Sequence, residues 1–235
     1  MSNYIARLKR FTTCDISDGL LNLYGISNGG YFPNLLRRSG SGTVVGRAFP
    51  VLFGHTEATK GQASINYIDN VPAESIVTIG MTEDLQLSHA PYTKPIQAMY
   101  GGLMSTRAKY LGSNGTVVFG RIRDVEEHQN LDHTVFSYGI GTCAPKAILK
   151  PIEYDCQLKI KLSDGTTEII SPGDYLVCDD HGMVRIPTDS VDLEKLVIYI
   201  EKSIEADDLV SQDIKAGKPA SESQKDRRAI LKQYL

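Results

Sequence analysis

The sequence predicts an α/β fold in which a mixed sheet is combined with a small barrel or second sheet and followed by a C-terminal helical extension. Three observations carry this. Helix-like and strand-like runs alternate from Tyr4 to Gly139, the pattern of units that alternate helix and strand around a sheet. From Cys156 to Ile186 short strand-like runs follow one another with little room for crossover helices, so they pair antiparallel and the fold is not doubly wound. Beyond residue 190, Leu193, Leu196, Val197 and Ile200 take the spacing of an amphipathic helix. The chain thus divides into an α/β domain over 1–190 and a helical extension over 191–235.

Taken in order, residues 4–11 and 15–24 read as two short helices. In the second, Thr12, Thr13 or Asp15 offers a cap, Ile16, Leu20 and Leu21 an apolar face, and Gly25 a stop. Asp15 and Asp18 lie i, i+3 on one face and are candidates to line a pocket, although acids at a helix start are usually dipole partners. A polar, glycine-rich loop follows through Ser41. Residues 42–53, rich in Val, Phe and Thr, read as a strand or a bent strand pair, with Pro50 marking an edge. Residues 60–70 are a helix candidate. Residues 75–80 are a near-continuous apolar run, the pattern of a buried parallel strand. The loop over 81–100, carrying Pro91 and Pro95, is long enough to act as a wall or lid over the segment it feeds.

That segment, residues 101–127, holds the chemistry. Gly101 and Gly102 open a run of helix formers; after Gly112 and a Ser113-Asn114-Gly115 turn, the β-branched and aromatic residues 116–119 form a strand. The glycines let a ligand approach the backbone, and the first-turn amides, Leu103 and Met104 among them, form an anion site. The strand returns to the same edge and delivers Arg123 and Asp124 near those amides. One span therefore offers amides and a guanidinium to a carboxylate, and the Asp124 carboxylate to a hard cation.

If the anion is a 2-oxo acid, breaking the carbon–carbon bond beside the oxo group leaves an enolate. A magnesium-like divalent ion on the 2-oxo oxygen and the fixed charge of Arg123 stabilise it, on the order of 3 kcal/mol per good donor. Mg²⁺ or Mn²⁺ needs only one or two protein carboxylates, so Asp124 alone suffices. Glu126 and Glu127 alternate in direction if the backbone stays extended, one orienting a metal-bound water and the other facing solvent. The plainer reading of an Arg-Asp pair after a strand is a surface ion pair.

Downstream, residues 133–139 read as another strand. Residues 139–144 fit the dinucleotide pattern GxGxxG/A, but that motif needs a crossover helix, and only 146–150 separate Pro145 from Pro151. Residues 156–162 and 166–170, joined by Ser163-Asp164-Gly165, form a β-hairpin. Two further short strands follow, and Pro187 ends the sheet. Asp179, Asp180 and His181 could bind a cation, but a DDHG tetrapeptide between two strands is more simply a turn. Residues 192–208 form the amphipathic helix, 215–228 a solvated linker or extended helix, and 229–235 a last helical turn or two.

Composition sets the excluded classes. With 25 basic and 28 acidic residues, net −3, the chain has no large field for nucleic acid or anionic lipid. No apolar run approaches the roughly 18 residues of a membrane span, and the first residues lack the apolar core of a signal peptide, so a cytoplasmic protein with no membrane partner is expected. Cys14, Cys143, Cys156 and Cys178 form no CxxC pair and are expected to be buried free thiols. The five histidines show no ligand spacing and are expected in surface or core roles.

The order GG-L-x(4)-A-x(3)-G-x(2)-G-x-V-x(2)-G-x-x-RD from Gly101 to Asp124, with the later segments Ile170-Ser171-Pro172-Gly173-Asp174 and 179–187 and the early Asp15-Ile16-Ser17-Asp18, resembles the RraA-like family, which includes the 4-hydroxy-4-methyl-2-oxoglutarate aldolases. The match spans residues 12–187. The resemblance implies a β/β/α swivelling-domain fold, a ring-shaped homotrimer with sites between subunits, and a divalent-metal lyase that forms pyruvate enolate by retro-aldol cleavage, with oxaloacetate decarboxylation as a related activity. By position, the backbone of Gly101, Gly102, Leu103 and Met104 would hold the pyruvoyl carboxylate, Arg123 would contact the substrate and Asp124 would bind the metal.

Many of the aldolases have aspartates where this chain has Gly102 and Phe119. Decarboxylation needs no base, whereas retro-aldol cleavage must remove the 4-hydroxyl proton. A family variant has glycine, arginine twenty-one residues on, then aspartate, and an acid three further, here Gly102, Arg123, Asp124 and Glu127; Glu127 would then act through a water as the substitute base. Some RraA-like proteins resemble regulators of an RNA-degrading enzyme, so the alternative is a non-catalytic protein that binds an RNase or other protein partner. A Schiff-base aldolase using Lys109 or Lys146 ranks last, because neither lysine has an apolar or cationic setting to activate it.

Overall fold

The structure, a computed structural model, describes residues 4–59 and 65–235. Its strands are β1 (Tyr31–Phe32), β2 (Leu36–Ser39), β3 (Val44–His55), β4 (Ser75–Met81), β5 (Ala98–Tyr100), β6 (Gly115–Ile122), β7 (Thr134–Ile140), β8 (Leu149–Tyr154), β9 (Leu158–Lys161), β10 (Thr167–Ile170), β11 (Tyr175–Asp179) and β12 (Gly182–Ile186). Ten of them form one sheet in the order β1-β12-β11-β3-β4-β6-β7-β2, with β5 added to β6 and β8 to β3, while β9 and β10 form a separate hairpin. The block β3-β4-β6-β7 is parallel and its flanks are antiparallel, so the sheet is mixed, as expected.

Burial explains which strands were easy to read. All seven residues of β4 are buried, which is why its sequence runs apolar without alternation. The β9–β10 hairpin closes one side of the sheet, placing Leu158, Ile160 and Ile170 in a core with Ile76, Val117 and Phe136. Pro50 does not mark an edge of the sheet: β4 pairs along one side of β3, and the other side is shared by β11, which pairs up to Arg47, and β8, which pairs from Val51. The missing N–H of Pro50 falls in the gap between these two partners, where no ladder bond is lost.

The helices are α1 (Tyr4–Leu8), α2 (Thr13–Tyr24), α3 (Gly102–Tyr110), α4 (Val125–Asn130), α5 (Leu193–Lys215) and α6 (Ala220–Arg227). In α2 the Thr12 hydroxyl accepts from the Asp15 amide at 3.2 Å and the Asp15 carboxylate accepts from the Thr12 amide at 2.8 Å, a reciprocal cap. Asp15 is thus consumed by the cap, and Asp18 is exposed; neither lines the cavity described below. Helix α5 is capped by Asp192 and runs to Lys215, and its Leu196, Val197 and Ile200 share a core with Leu8, Ile16, Leu20, Val177 and Ile186. The first half of the extension is therefore packed onto the N-terminal helices and the β11–β12 pair.

Several segments differ from expectation. The loop before Ser41 contains β1 and β2. Of the helix candidate over 60–70, residues 60–64 lie outside the described residues, and Ile68–Asn70 is a single 3-10 turn. Of the two readings of residues 215–228, the helix holds over Ala220–Arg227 and the linker does not: α6 is pinned by Asp213, which accepts from the Ser223 hydroxyl at 2.8 Å and from Arg227 at 2.9 Å. All four cysteines are free, but only Cys178 is buried; Cys14 and Cys143 are exposed and Cys156 is half-buried. Residues 141–148 hold no helix, which removes the dinucleotide reading.

Candidate active site

The site is built where β5, α3 and the end of β6 meet. Gly101 caps α3 in an extended conformation. Arg123 is tied to this corner by its amide, which donates to the Tyr100 carbonyl at 3.0 Å. Asp124 then adopts a left-handed conformation, φ 57°, as the residue preceding α4. Aspartate tolerates that conformation better than most residues, and the sharp turn aims its carboxylate back at α3. Asp124 Oδ2 accepts from the Gly102 amide at 3.2 Å and lies 3.4 Å from Arg123 Nε. The Arg123 and Asp124 side chains are 38% and 32% exposed, so they face an open cavity rather than being sealed against each other.

The amides divide differently from expectation. Those of Met104 and Ser105 donate back to the Gly101 carbonyl at 3.0 and 3.3 Å, and that of Gly102 is taken by Asp124. Among the described residues, this leaves the Leu103 amide as the first-turn donor for an anion. Met104 still lines the cavity.

Glu126 and Glu127 do not alternate, because α4 begins directly after Asp124 and places successive side chains by helical rotation. Glu127 lines the cavity and Glu126 does not. A Cβ built on Gly102 would stand 2.6 Å from the Cβ and Cδ of Glu127 and closer still to its Oε2. The glutamate thus occupies the space that an acidic side chain at position 102 would need. An acid supplied from α3 and one supplied from α4 exclude each other, and this chain supplies it from α4.

These groups line a cavity of about 550 Å³. Gly101 lines it with the charged Arg123, Asp124 and Glu127, and Phe53, Tyr67, Met99, Tyr100, Pro145 and Pro151 add aromatic and apolar surface. Of the long loop before Gly101, only its last residues, from Ala98, reach the cavity, so its earlier part is no wall or lid here. Lys109 donates to the Leu131 carbonyl, and neither Lys109 nor Lys146 lines the cavity, which leaves the Schiff-base reading without a nucleophile there. Asp179 accepts from the Thr13 amide and hydroxyl, both at 2.8 Å, and from the His181 amide at 2.9 Å. It anchors α2 to a turn and is no cation site.

One contributor went unread in the sequence. His128, buried and stacked on Tyr100 at 5.7 Å between ring centroids, bonds the Arg123 carbonyl through Nε2 and the Ser105 hydroxyl through Nδ1, both at 2.8 Å. A carbonyl can only accept, so Nε2 carries the hydrogen and Nδ1 accepts from Ser105. Burial holds the pKa of His128 below its ordinary value, consistent with this neutral form. The ring locks the backbone of Arg123 to α3. Its only sequence signal was a histidine four residues after Asp124.

Among the described residues, no group of three or more His, Cys, Asp and Glu side chains is placed to hold a metal. A hard divalent ion needs fewer protein ligands. Asp124 Oδ1 has no protein partner among the described residues, and Glu127 lines the same cavity. An oxygen-only donor pair of this kind suits Mg²⁺ or Mn²⁺ and not a thiolate- or imidazole-seeking metal.

The fold and this corner define an RraA-like protein, and the chain belongs to that family: residues 13–185 match its model, described as Aldolase/RraA. Members include aldolase and decarboxylase enzymes and non-catalytic RNase inhibitors. The chain is 30% identical over 192 residues to Protein DlpA of Legionella pneumophila, an alignment covering 80% of this chain and 28% of that protein, so it spans under a third of that relative's length. It is similar, at 25% identity and TM-score 0.72, to the crystal structure of an uncharacterized protein from Pseudomonas syringae pv. tomato, covering 94% of this chain and 96% of that one. The Streptomyces coelicolor protein RraAS2, described as an unusual member of the RNase ES inhibitor RraA protein family, shares the fold at TM-score 0.65 and 18% identity, over 88% of this chain and 95% of that one.

Proposed function

We propose that this chain is a divalent-metal-dependent lyase that cleaves a carbon–carbon bond next to a 2-oxo acid through a pyruvate enolate, as an aldolase and an oxaloacetate decarboxylase, and that it works as a homotrimer. The observation that carries the reading is the convergence of the Leu103 amide, Arg123, Asp124 and Glu127 on one open cavity.

In this reading the substrate carboxylate sits at the head of α3, taking the Leu103 amide and the Arg123 guanidinium. Asp124, held in place by the Gly102 amide, would carry the metal with Glu127 nearby, and a bound Mg²⁺ or Mn²⁺ would supply Lewis-acid polarisation of the 2-oxo group. Arg123 adds fixed positive charge beside the developing enolate. For decarboxylation no base is needed. For retro-aldol cleavage, Glu127 takes the 4-hydroxyl proton through a water, standing in for the acid that Gly102 lacks.

The test is pyruvate release from oxaloacetate with Mg²⁺ or Mn²⁺, against the rate with free metal and with a chelator. The expected result is a rate above free metal that the chelator abolishes, and a loss of about 100-fold or more in Asp124→Asn. A rate indifferent to chelation, or no greater than that of free metal, overturns the reading. Stable capture of an RNase by such a protein would instead favour the regulatory alternative, which the relationship to RraAS2 keeps in view.

A further inference from the structure

The imidazole of His128 lies between the two elements that carry the carboxylate-binding groups. On one side its Nδ1 accepts from the hydroxyl of Ser105, which stands in α3 two residues beyond Leu103; on the other its Nε2 donates to the carbonyl of Arg123, both at 2.8 Å. His128 and Ser105 are fully buried and neither lines the cavity. The ring therefore works on the site from behind.

Arg123 is held at both of its main-chain groups. Its amide donates to the Tyr100 carbonyl at 3.0 Å, and the His128 ring that takes its carbonyl lies flat on the Tyr100 ring, with the planes 12° apart. These bonds leave the side chain free to face the cavity. The main chain of α4 does not serve the Arg123 carbonyl, because its first ladder bonds, from the amides of Glu127 and His128, end on the Asp124 carbonyl at 3.0 and 3.3 Å. The same peptide precedes Asp124, whose left-handed φ of 57° is a conformation that a residue other than glycine keeps only when its surroundings hold it.

A satisfied core histidine is the ordinary role for such a residue, and an apolar side chain could fill the volume against Tyr100. It would leave the Arg123 carbonyl and the Ser105 hydroxyl without this partner. A planar ring with an acceptor on one side and a donor on the other bonds both at once. Having no internal torsion, it also fixes the distance between them.

We infer that His128 is a positioning residue: a rigid spacer that sets the separation between the Leu103 amide and the Arg123 guanidinium, the two groups that receive the substrate carboxylate. The inference rests on the lyase reading above. Ser105 holds the ring in the tautomer that keeps the hydrogen on Nε2. A spacer of this kind touches neither substrate nor metal, and its removal lets the two halves of the anion site drift apart, a small displacement with a large effect on binding and rate.

The test uses His128→Phe, which keeps a ring against Tyr100 and loses both hydrogen bonds, and His128→Gln, which loses the ring and keeps a donor that can reach the Arg123 carbonyl. Oxaloacetate turnover is measured with saturating Mn²⁺, and oxalate, standing in for pyruvate enolate, is titrated calorimetrically into the Mn²⁺-loaded full chain. Urea unfolding confirms that each variant is folded. In His128→Phe the KM for oxaloacetate and the Kd for oxalate are expected to rise at least about tenfold, and in His128→Gln to return to within about threefold of the unsubstituted values.

A purely structural role lowers the number of active molecules, and so kcat, without moving KM or Kd. A folded His128→Phe with both constants unchanged therefore overturns the inference, as does His128→Gln behaving no better than His128→Phe. Should His128→Phe fail to fold, Ser105→Ala decides: the ring loses one of its two tethers, both constants are expected to rise about threefold, and unchanged constants overturn the inference. Each of these results leaves the lyase reading standing. No oxaloacetate turnover above free metal in the unsubstituted chain overturns the lyase reading and the inference with it.

Discussion

Gly102 and Glu127 compete for one volume. Because a Cβ on Gly102 would run into the Glu127 side chain, Gly102→Asp forces that side chain aside and sets two carboxylates against each other. The expected cost is about 1–3 kcal/mol. In the double variant Gly102→Asp with Glu127→Ala the clash is gone, so the two changes are expected to be non-additive by at least about 1 kcal/mol, read from urea unfolding of the four proteins. Additive costs would show that the two side chains do not share the space. At this scale Arg123 and Asp124 were legible, because an Arg-Asp pair at the end of a strand leading back to a glycine-capped helix has few places to go. The direction of Glu127 was not: a left-handed Asp124 starts α4 at once, and nothing in the residues themselves separates that from an extended continuation. Nor was the role of His128 readable, since its partners, Ser105 and the Arg123 carbonyl, are set by the crossing of α3 with α4.

Between elements, a buried polar chain joins β5, β6 and the residue just before β7. Beneath the site, Tyr100 bonds Thr116 at 3.0 Å, and Thr116 bonds His133 Nε2 at 3.1 Å. Burial, with His128 and Lys109 nearby, pushes the pKa of His133 down from 6.5 to about 4. The folded chain therefore refuses a proton that the unfolded chain accepts, and stability contributed by this neutral ring is complete above pH 6.5 and lost as the pH falls towards about 4. The urea midpoint is expected to fall from about pH 7 to about pH 5, with a shallower slope in His133→Gln, which cannot take the proton. A midpoint flat over that range in the unsubstituted protein would contradict the buried neutral ring. Elements buried on two sides, β4 and β6, were the most legible because burial writes itself into a continuous apolar run. The two-residue β1 and three-residue β5 are too short to carry a period. β8 was hidden by Pro151, which sits where its register against β3 shifts and so escapes the usual penalty of proline in a strand.

For the whole molecule, mixed topology and the packed helical end were readable from strand spacing and helical periodicity, and among the described residues no helix is long and apolar enough to cross a membrane. What one chain's sequence could not show is which of its surfaces are covered. Leu103, which lines the cavity, is 73% exposed, and Ile96, Tyr110 and Leu36 are 71%, 80% and 56% exposed. Single exposed apolar residues are ordinary, but Leu103 stands on the first turn of α3 and lines the cavity, so anything that covers it also borders the site. The homotrimer proposed above would bring a neighbouring subunit to such surfaces, and closed rings are built from one repeated heterologous contact. Light scattering is expected to give three times the chain mass of 25.8 kDa. Ile96→Glu and Tyr110→Glu each place a charge on an exposed apolar position outside the cavity lining; if that position lies in the contact, the assembly dissociates without unfolding the subunit. A mass of one chain for the unsubstituted protein at micromolar concentration would rule the ring out, and lyase activity persisting in that single chain would show the cavity to be complete without a neighbour.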